Sequence, residues 1–380
     1  MNLFPDEQER QRLFPVSRSR KFFAHAAVAA LPACVADAMC AHARESSESP
    51  LNFGIVLRDL KNVRRACAQL IGAEPEEIAL LGPTSLGLSL FANGIAWKED
   101  DEVICYADDY PANVYPWIEL RRRGVVVRYL KPETPGEITP ELVESALTPR
   151  TRLVALASCH FFSGYRIDVD AIGRLLHARG VLFSLDAIQT IGAFPLSVEH
   201  VDFLSADAHK WMLGPVAAGI VYVKKEHFEL CRPTLLGAWN VHSPNFITED
   251  EIQFAPTAQR YEPGVLNTVG IYGMKAGIDM LLQTGMDRVA ARLMELKAHL
   301  VAGLRPLGFQ ILGPTDGPNA SNITTFHHPS RPAPELFARL EKAGVTASLR
   351  YDRDGRTYLR FSPHFYNTEA ELDEALDVLK

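Results

Sequence analysis

Several features that would assign a protein to a common class are absent from this sequence of 380 residues. The six cysteines are scattered and form no C-x-x-C pair, which argues against a disulfide framework or a metal site. Unpaired cysteines fit a reducing compartment, so we expect a cytoplasmic protein. Basic residues are not in excess, since the formal net charge is −7 and the sequence pI is 6.0. We therefore expect neither nucleic acid nor a membrane as a partner.

Two further absences narrow the choice of class. The longest stretch without charge near the start, Phe22 to Ala36, is interrupted by His25 and Pro32 and follows about twenty mostly polar or charged residues. It predicts a buried N-terminal segment rather than a signal peptide or a membrane span. No G-x-G-x-x-G turn follows a first strand, which argues against a dinucleotide-binding Rossmann enzyme.

Between residues 76 and 225, short apolar runs alternate with helical patterns. Several of the runs are apolar at every position, as expected for parallel strands that are buried on both faces. Strands that alternate with helices predict an α/β protein with a mainly parallel, doubly wound sheet of seven strands. The predicted strands are Ile78–Leu81, Val103–Tyr106, Val125–Leu130, Leu153–Ala157, Val181–Leu185, Phe203–Ala206 and Gly219–Val223.

After residue 225 the pattern changes to long helices and then to a second, shorter α+β region. The predicted helices are Gly270–Thr284, Met286–Leu304, Pro334–Ala343 and Glu369–Leu379, and the predicted strands are Gly308–Leu312, Ile323–Phe326 and Tyr358–Ser362. The length allows two domains. We expect an N-terminal segment, 1–30, that packs on the small domain, a large domain, 31–255, and a smaller α+β C-terminal domain, 256–380.

An acid and a lysine follow the ends of two consecutive predicted strands. Asp186 directly follows the predicted strand Val181–Leu185, and Lys210 comes four residues after the predicted strand Phe203–Ala206. Because the carboxyl ends of parallel strands meet at one edge of a sheet, the two side chains can approach each other there. One interpretation is a structural ion pair. The other is that Lys210 forms an imine with an aldehyde cofactor while Asp186 keeps the ring nitrogen of that cofactor protonated.

Two other loops follow the predicted strands at the same edge. The segment Gly82-Pro83-Thr84-Ser85 opens a helical pattern, so its backbone amides and hydroxyls could hold a phosphate, although an ordinary helix cap would look the same. The loop that contains Tyr110 follows the strand Val103–Tyr106. Its aromatic side chain could cover a flat heterocycle or simply pack.

Taken in this order, the segments resemble the class V aminotransferase family of fold-type I enzymes that use pyridoxal 5′-phosphate (PLP). This family includes cysteine desulfurases, selenocysteine lyases, isopenicillin-N-epimerase-like proteins and kynureninases. The strongest part of the resemblance is the Asp186-x-x-Gln189 motif with His209-Lys210-Trp211 and the Gly-Pro that follows. The resemblance implies the fold-type I architecture, PLP as cofactor, a small amino acid as substrate, and a homodimer with the site near its interface.

The resemblance also implies a role for each matching position. Lys210 would be the Schiff-base lysine, Asp186 the partner of the pyridine nitrogen, and Gln189 a donor to the phenolate oxygen of the cofactor. The other implied roles are phosphate binding for Thr84, Ser85 and His209, ring stacking for Tyr110, a contact with the partner's phosphate site for Trp239, binding of the substrate carboxylate for Arg360, and action on substrate or cofactor for His160 and, more weakly, His25.

Three departures from the family pattern bear on function. Desulfurases carry a cysteine in a loop before the arginine that corresponds to Arg360, and the matching stretch, Gly344–Tyr358, contains none. A persulfide-forming desulfurase is therefore not expected. Val265 stands where a hydroxyl residue usually reaches the neighbouring subunit's phosphate. Asp207 replaces a phosphate-binding serine, so its carboxylate must point away from the phosphate, be paired, or be protonated.

The residues leave the reaction type open. We favour an aminotransferase, with a C–S lyase that works by β-elimination close behind and epimerisation or kynureninase-like hydrolysis as further alternatives. All begin with removal of the α-proton, so the residues named above cannot separate them. A catalytically silent PLP-fold binding protein is the remaining alternative, and it would be expected to lose Lys210, Asp186 or Arg360, which are all present.

Overall fold

The computed structural model describes residues 3–380, so the first two residues of the predicted segment 1–30 lie outside the described part. The α-helices are α1 (Glu7–Leu13), α2 (Ala33–Glu48), α3 (Phe53–Ile71), α4 (Thr84–Gly94), α5 (Tyr115–Glu119), α6 (Pro140–Ala146), α7 (Val169–Ala178), α8 (Thr268–Thr284), α9 (Met286–Leu304), α10 (Ala333–Lys342) and α11 (Glu369–Leu379). Among residues 3–380, no helix combines the length and the apolar composition needed to cross a membrane.

The strands form three sheets. They are β1 (Lys21–Phe22), β2 (Ile78–Leu80), β3 (Glu102–Tyr106), β4 (Val126–Leu130), β5 (Thr151–Ala157), β6 (Leu182–Asp186), β7 (Phe203–Asp207), β8 (Gly219–Val223), β9 (Gln310–Leu312), β10 (Thr324–His327), β11 (Val345–Thr346), β12 (Ser348–Tyr351) and β13 (Thr357–Phe361). The largest sheet has the order β2-β8-β7-β6-β5-β3-β4, which contains all seven strands predicted from the sequence.

Within this sheet, β8 runs antiparallel to both of its neighbours, and every other pairing is parallel. Strand β6 lies beside β7, with Asp186 opposite Ser205. The ends of these two strands therefore meet at one edge, as the positions of Asp186 and Lys210 predicted. The α/β fold-type I class is confirmed by this architecture together with the structural relatives reported below.

Each face of the large sheet is covered by its own apolar core, because successive side chains of a strand point to opposite faces. In β5, Val154 and Leu156 contact the core that includes Ile172 of α7. Leu153 and its alternate neighbours contact the second core, in which Phe91 of α4 packs on the sheet. Burial on both faces explains why the strands are mainly apolar.

The C-terminal part builds a separate antiparallel sheet in the order β12-β13-β10-β9. A third apolar core lies between this sheet and helices that include α9, α10 and α11. Strand β12 was not predicted from the sequence. It is short and half-exposed, and it forms a hairpin with β13 in which Ser348 lies opposite Arg360.

The N-terminal segment connects the small sheet with the edge of the large one. Strand β1 pairs with β11, and Ala24 forms a bridge with Ser362, just after β13. Further along, the backbone N–H of Ala29 donates to the carbonyl oxygen of His209 at 2.7 Å. The segment thus contacts the small sheet and the Lys210 loop, whereas the domain limits at residues 30 and 255 stay a prediction.

Candidate active site

Lys210 and Asp186 lie together in a nearly closed site at the carboxyl edge of the large sheet. The side chain of Lys210 is buried, and its Nζ lies 5.4 Å from the centroid of the Tyr110 ring. Burial lowers the pKa of Lys210 to about 8, although the nearby Asp186 carboxylate opposes this shift. Burial raises the pKa of Asp186 to about 6, against the effects of the Ile188 N–H and of Lys210. A buried amine with a lowered pKa suits imine formation.

Gln189 is held in one orientation by two hydrogen bonds. Its Oε1 accepts from the indole N–H of Trp211 at 2.8 Å, and its Nε2 donates to the carbonyl oxygen of Ala26 at 3.1 Å. The indole can only donate, so the amide nitrogen must face away from Trp211. One hydrogen on that nitrogen stays available for an acceptor on the cofactor side.

The predicted phosphate cradle forms at the start of α4. Thr84 is the first residue of this 11-residue helix, and its hydroxyl accepts from the backbone N–H of Asp207 at 2.9 Å. Ser85 follows it and is half-buried. His209 is joined to the cradle through Asp207, whose Oδ2 is 2.5 Å from the imidazole Nδ1. The structure therefore brings the three predicted phosphate residues, Thr84, Ser85 and His209, close to the same helix start.

Arg360 reaches the site from the small sheet. Its guanidinium donates through Nη1 to the carbonyl oxygen of Phe161 at 2.6 Å, while Nε and Nη2 are buried without a partner. Burial, together with the positive charge of Arg350, lowers the pKa of Arg360 well below its usual range. Two unpaired N–H donors on one edge of a guanidinium match the geometry of a carboxylate.

Arg350 is a site residue that the sequence analysis missed. It lies on β12 two positions after Ser348, which is opposite Arg360 on β13, so both arginines project from the same face of the small sheet. Its Nε is buried without a partner, and its charge lowers the pKa of both Lys210 and Arg360. The alternation of residues along β12 would have revealed Arg350 if that strand had been recognised.

Asp109 is a second acid that the sequence analysis did not single out. It is buried next to Tyr110, and burial and the proximity of Asp186 raise its pKa to about 7. Its Oδ2 accepts from the side chain of Asn113 and from the backbone N–H of Ala157, both at 3.0 Å. These bonds fix the loop that carries Tyr110 to the end of β5.

The two histidines that were predicted to act on substrate or cofactor, His160 and His25, are buried, and their ring nitrogens are already hydrogen-bonded. His160 Nδ1 is 2.9 Å from the Ser163 hydroxyl and Nε2 is 3.0 Å from the carbonyl oxygen of Asp108, which requires the Nε2–H tautomer. Burial lowers the pKa of His160 to about 3. His25 has the opposite arrangement, because its Nδ1 donates to the Ser362 carbonyl oxygen at 2.9 Å and its Nε2 accepts from the Tyr366 hydroxyl at 3.0 Å. Roles for these rings in catalysis stay predictions and would require these bonds to break.

Trp239 lies on an apolar surface that is partly exposed. Its ring centroid is 5.7 Å from that of Phe53 at the start of α3 and 5.9 Å from that of Phe246. Val265 and Leu57 line the same hollow as Phe53 and Trp239. The contact of Trp239 with the partner's phosphate site stays a prediction.

The residues at this edge fit PLP group by group. The buried amine of Lys210 could bind an aldehyde, and the Asp186 carboxylate could bind a pyridine nitrogen. The helix start at Thr84 offers its backbone amides to a phosphate. The unpaired Nε and Nη2 of Arg360 could donate to a carboxylate. A family model described as aminotransferase class V matches residues 21–375.

The chain belongs to the aminotransferase class V family. A probable cysteine desulfurase of Methanothermobacter thermautotrophicus is 28% identical over an alignment of 391 positions, gaps included. The alignment covers 97% of this chain and 96% of the relative. A solved structure of the apo cysteine desulfurase of Thermococcus onnurineus is 22% identical and covers 100% of this chain and 98% of its own, with a TM-score of 0.90.

A second solved structure is the cystine C–S lyase C-DES in complex with its product, cysteine persulfide. It is 20% identical, covers 96% of this chain and 98% of its own, and has a TM-score of 0.86. Class V aminotransferases use PLP, and this member is a PLP-dependent enzyme, as its sequence predicted.

Proposed function

We propose that this class V enzyme is a C–S lyase that cleaves a sulfur amino acid with a second carboxylate, such as cystine. The observation that carries the proposal is the pair of arginines on one face of the small sheet, both with unpaired buried donors and both close enough to Lys210 to lower its pKa. A buried charged donor without a partner costs about 1–3 kcal/mol or more, so such donors favour anionic ligands. A site with two guanidiniums fits a substrate with two carboxylates better than a substrate with a single carboxylate.

The site residues then take the following roles. PLP, when bound, accepts the electrons that the α-carbon releases. Lys210 holds the cofactor and afterwards takes the α-proton on its amine, which burial keeps only weakly basic. Asp186 would bind the ring nitrogen of the cofactor, Gln189 would donate to its phenolate oxygen, and Tyr110 would cover its ring. Arg360 orients the α-carboxylate through Nε and Nη2.

Elimination then breaks the bond between the β-carbon and sulfur. The electron pair of the broken bond between the α-carbon and its hydrogen forms the new carbon–carbon double bond. The sulfur leaves with the electrons of the C–S bond and takes up a proton. Hydrolysis of the enamine product gives pyruvate and ammonia. For cystine the balance is one water consumed, with cysteine persulfide, pyruvate and ammonia produced. Arg350 holds the carboxylate on the leaving half.

The space beside the site and the position of the thiols support this assignment. A cavity of about 780 Å³ adjoins Tyr110 and is lined by Phe161, Tyr351 and Arg353, among others. Cys159 follows the end of β5, and it is fully buried with a pKa raised to about 11 by burial. The hairpin 344–358 contains no cysteine. Sulfur would therefore leave on the product rather than on a protein thiol.

Replacement of Arg350 tests the substrate class. We expect Arg350→Met to raise the KM for cystine roughly tenfold or more, because a charge-assisted hydrogen bond to the distal carboxylate is lost. The KM for β-chloroalanine, which has no second carboxylate, should stay nearly unchanged in this variant. Pyruvate release measures both reactions, and Arg339→Met, on the exposed face of α10, is the matched control. Equal losses for both substrates would show that Arg350 does not read the second carboxylate.

The product distinguishes elimination from the transamination that the sequence favoured. Pyruvate and ammonia from cystine support the lyase. A keto acid that retains its sulfur, formed without ammonia, would instead establish an aminotransferase and refute the proposed reaction.

The exposed apolar surface around Trp239 supports a homodimer. Contiguous exposed apolar side chains of this size mark protein interfaces. The surface also continues to the site, because Asn267, two residues after Val265, donates to the carbonyl oxygen of Ala217 at 3.5 Å, and the Ala217 N–H donates to Asp207. The exposed apolar residues near Trp239 are Leu51, Phe53, Ile55, Leu57, Phe246, Ile247 and Val265. This surface supports a homodimer. The six unpaired cysteines separately support a cytoplasmic location.

Light scattering tests the oligomeric state. We expect a mass of twice the 42.1 kDa of the chain, and we expect Phe246→Glu to halve it, because the new charge would have to be buried at the interface. Val126→Glu, on the exposed edge strand β4, is the control and should leave the dimer intact. A wild-type protein with the mass of one chain would exclude the dimer.

A further inference from the structure

An acid lies where the phosphate of the cofactor would be held. Asp207 ends β7 and is buried beneath the start of α4, with its backbone N–H bonded to the Thr84 hydroxyl. Its Oδ2 accepts from His209 Nδ1 at 2.5 Å and from the Ala217 N–H at 3.1 Å. Its Oδ1 is buried without a partner against Gly82, where an added Cβ would lie 2.6 Å away. The carboxylate is therefore fixed in place and cannot turn into solvent.

The Asp207 carboxylate and a phosphate bound at the start of α4 would both be anions. Their repulsion would weaken phosphate binding unless a cation lies between them. His209 is the group bonded to Asp207, and its side chain is partly exposed at the cradle. The charge of Asp207 is compatible with a bound phosphate if the imidazole compensates it.

The hydrogen bond decides which form of the imidazole can do this. A carboxylate only accepts, so the hydrogen on His209 Nδ1 is committed to Asp207. A neutral imidazole would then carry a bare lone pair on Nε2, which cannot donate to a phosphate oxygen. Only the imidazolium has a second N–H for the phosphate, and it also neutralises the carboxylate behind it.

We propose that Asp207 is a positioning residue that makes His209 bind the cofactor phosphate as a cation, in place of a direct phosphate contact from residue 207. This inference rests on the PLP binding that the proposed lyase requires, and it deepens that function. A chain with a neutral residue at position 207 leaves the histidine free to use the Nε2–H tautomer. With Asp207, the phosphate is held by a doubly protonated ring between two anions.

The test compares two variants, alone and combined, in the apo form of the full-length protein. The dissociation constants of PLP and of pyridoxal, which lacks the phosphate, are measured by absorbance titration. We expect Asp207→Asn to weaken PLP binding roughly tenfold or more while leaving pyridoxal binding unchanged. In the His209→Gln background, the same substitution should leave PLP binding equal or make it tighter, because it then only removes a negative charge.

The sign of the effect separates the proposal from a simple charge effect. Tighter or unchanged PLP binding by Asp207→Asn in the presence of His209 would overturn it, as would equal losses in both backgrounds. If a variant does not fold, a measurement on the wild-type protein still tests the proposal. Nitrogen NMR of labelled histidines in the PLP complex should show hydrogens on both ring nitrogens of His209, and a single protonated nitrogen would overturn the proposal.

The same titrations distinguish this inference from the proposed function. A wild-type protein that binds neither PLP nor pyridoxal would refute the PLP enzyme itself. A wild-type protein that binds PLP well, with variants that behave alike, would refute only the role of Asp207.

Discussion

Lys210→Ala is expected to lower turnover by roughly a thousandfold or more, because the same amine holds the cofactor and moves the α-proton. The purified variant should also lose the visible absorption of lysine-bound PLP, and borohydride should no longer attach the cofactor to the chain. Pyruvate release and peptide mass spectrometry measure the two effects. Lys225→Ala is the control, since this lysine is exposed and lies beyond β8, outside the site.

The size of this effect follows from the surroundings of Lys210. Burial removes most of the competing water and lowers the pKa of the amine to about 8, so a useful share is uncharged near neutral pH. Among residues 3–380, Lys210 is the lysine whose charge lowers the pKa of Asp186. Turnover near that of the wild type in the variant would remove Lys210 from the mechanism, and the proposed enzyme with it.

Arg360→Ala is expected to cost roughly 2–5 kcal/mol in kcat/KM, or about 30-fold to a few thousandfold, because the substrate carboxylate would lose its buried bidentate partner. The loss should affect every amino-acid substrate alike, whether or not it has a second carboxylate. This pattern differs from that of Arg350→Met, which should affect only the substrate with the distal carboxylate. Steady-state kinetics with cystine and β-chloroalanine measure both patterns.

Two checks make the Arg360 result interpretable. Its Nη1 also bonds to the Phe161 carbonyl oxygen, so some loss could come from a displaced loop. Arg360→Lys keeps the charge but not the planar pair of donors, and we expect it to restore little activity. The thermal unfolding midpoint and PLP affinity should stay close to the wild type. An unchanged kcat/KM in Arg360→Ala would place the carboxylate elsewhere.

Much of the fold could be predicted because burial leaves a direct trace in the sequence. Strands β3, β7 and β8 are buried at every position, and this appears as mainly apolar runs. The direction of β8 could not be predicted in the same way, because an apolar run is the same in either orientation. Strand β12 was missed since only one of its four residues is buried.

The candidate site was predictable to the extent that strand ends determine which side chains meet. Asp186 and Lys210 followed from this rule alone, and the resemblance added Gln189 and Arg360. The partners of His160 could not be inferred, because Ser163 and the Asp108 carbonyl come together only through the turn after β5 and the loop after β3. The pairing of Asp207 with His209 depends on the geometry of two residues in a loop, which has no periodic signal.

The segment from Lys21 to Ala29 has a practical consequence for work with this protein. It adds a strand beside β11, bridges to Ser362 and bonds to the His209 carbonyl, so the arginine-bearing sheet and the lysine-bearing loop share one piece of chain. Deletions that reach past residue 20 would therefore disturb substrate capture and cofactor retention at once. Expression variants shortened at the front should stop before Lys21 if both properties are to be measured separately.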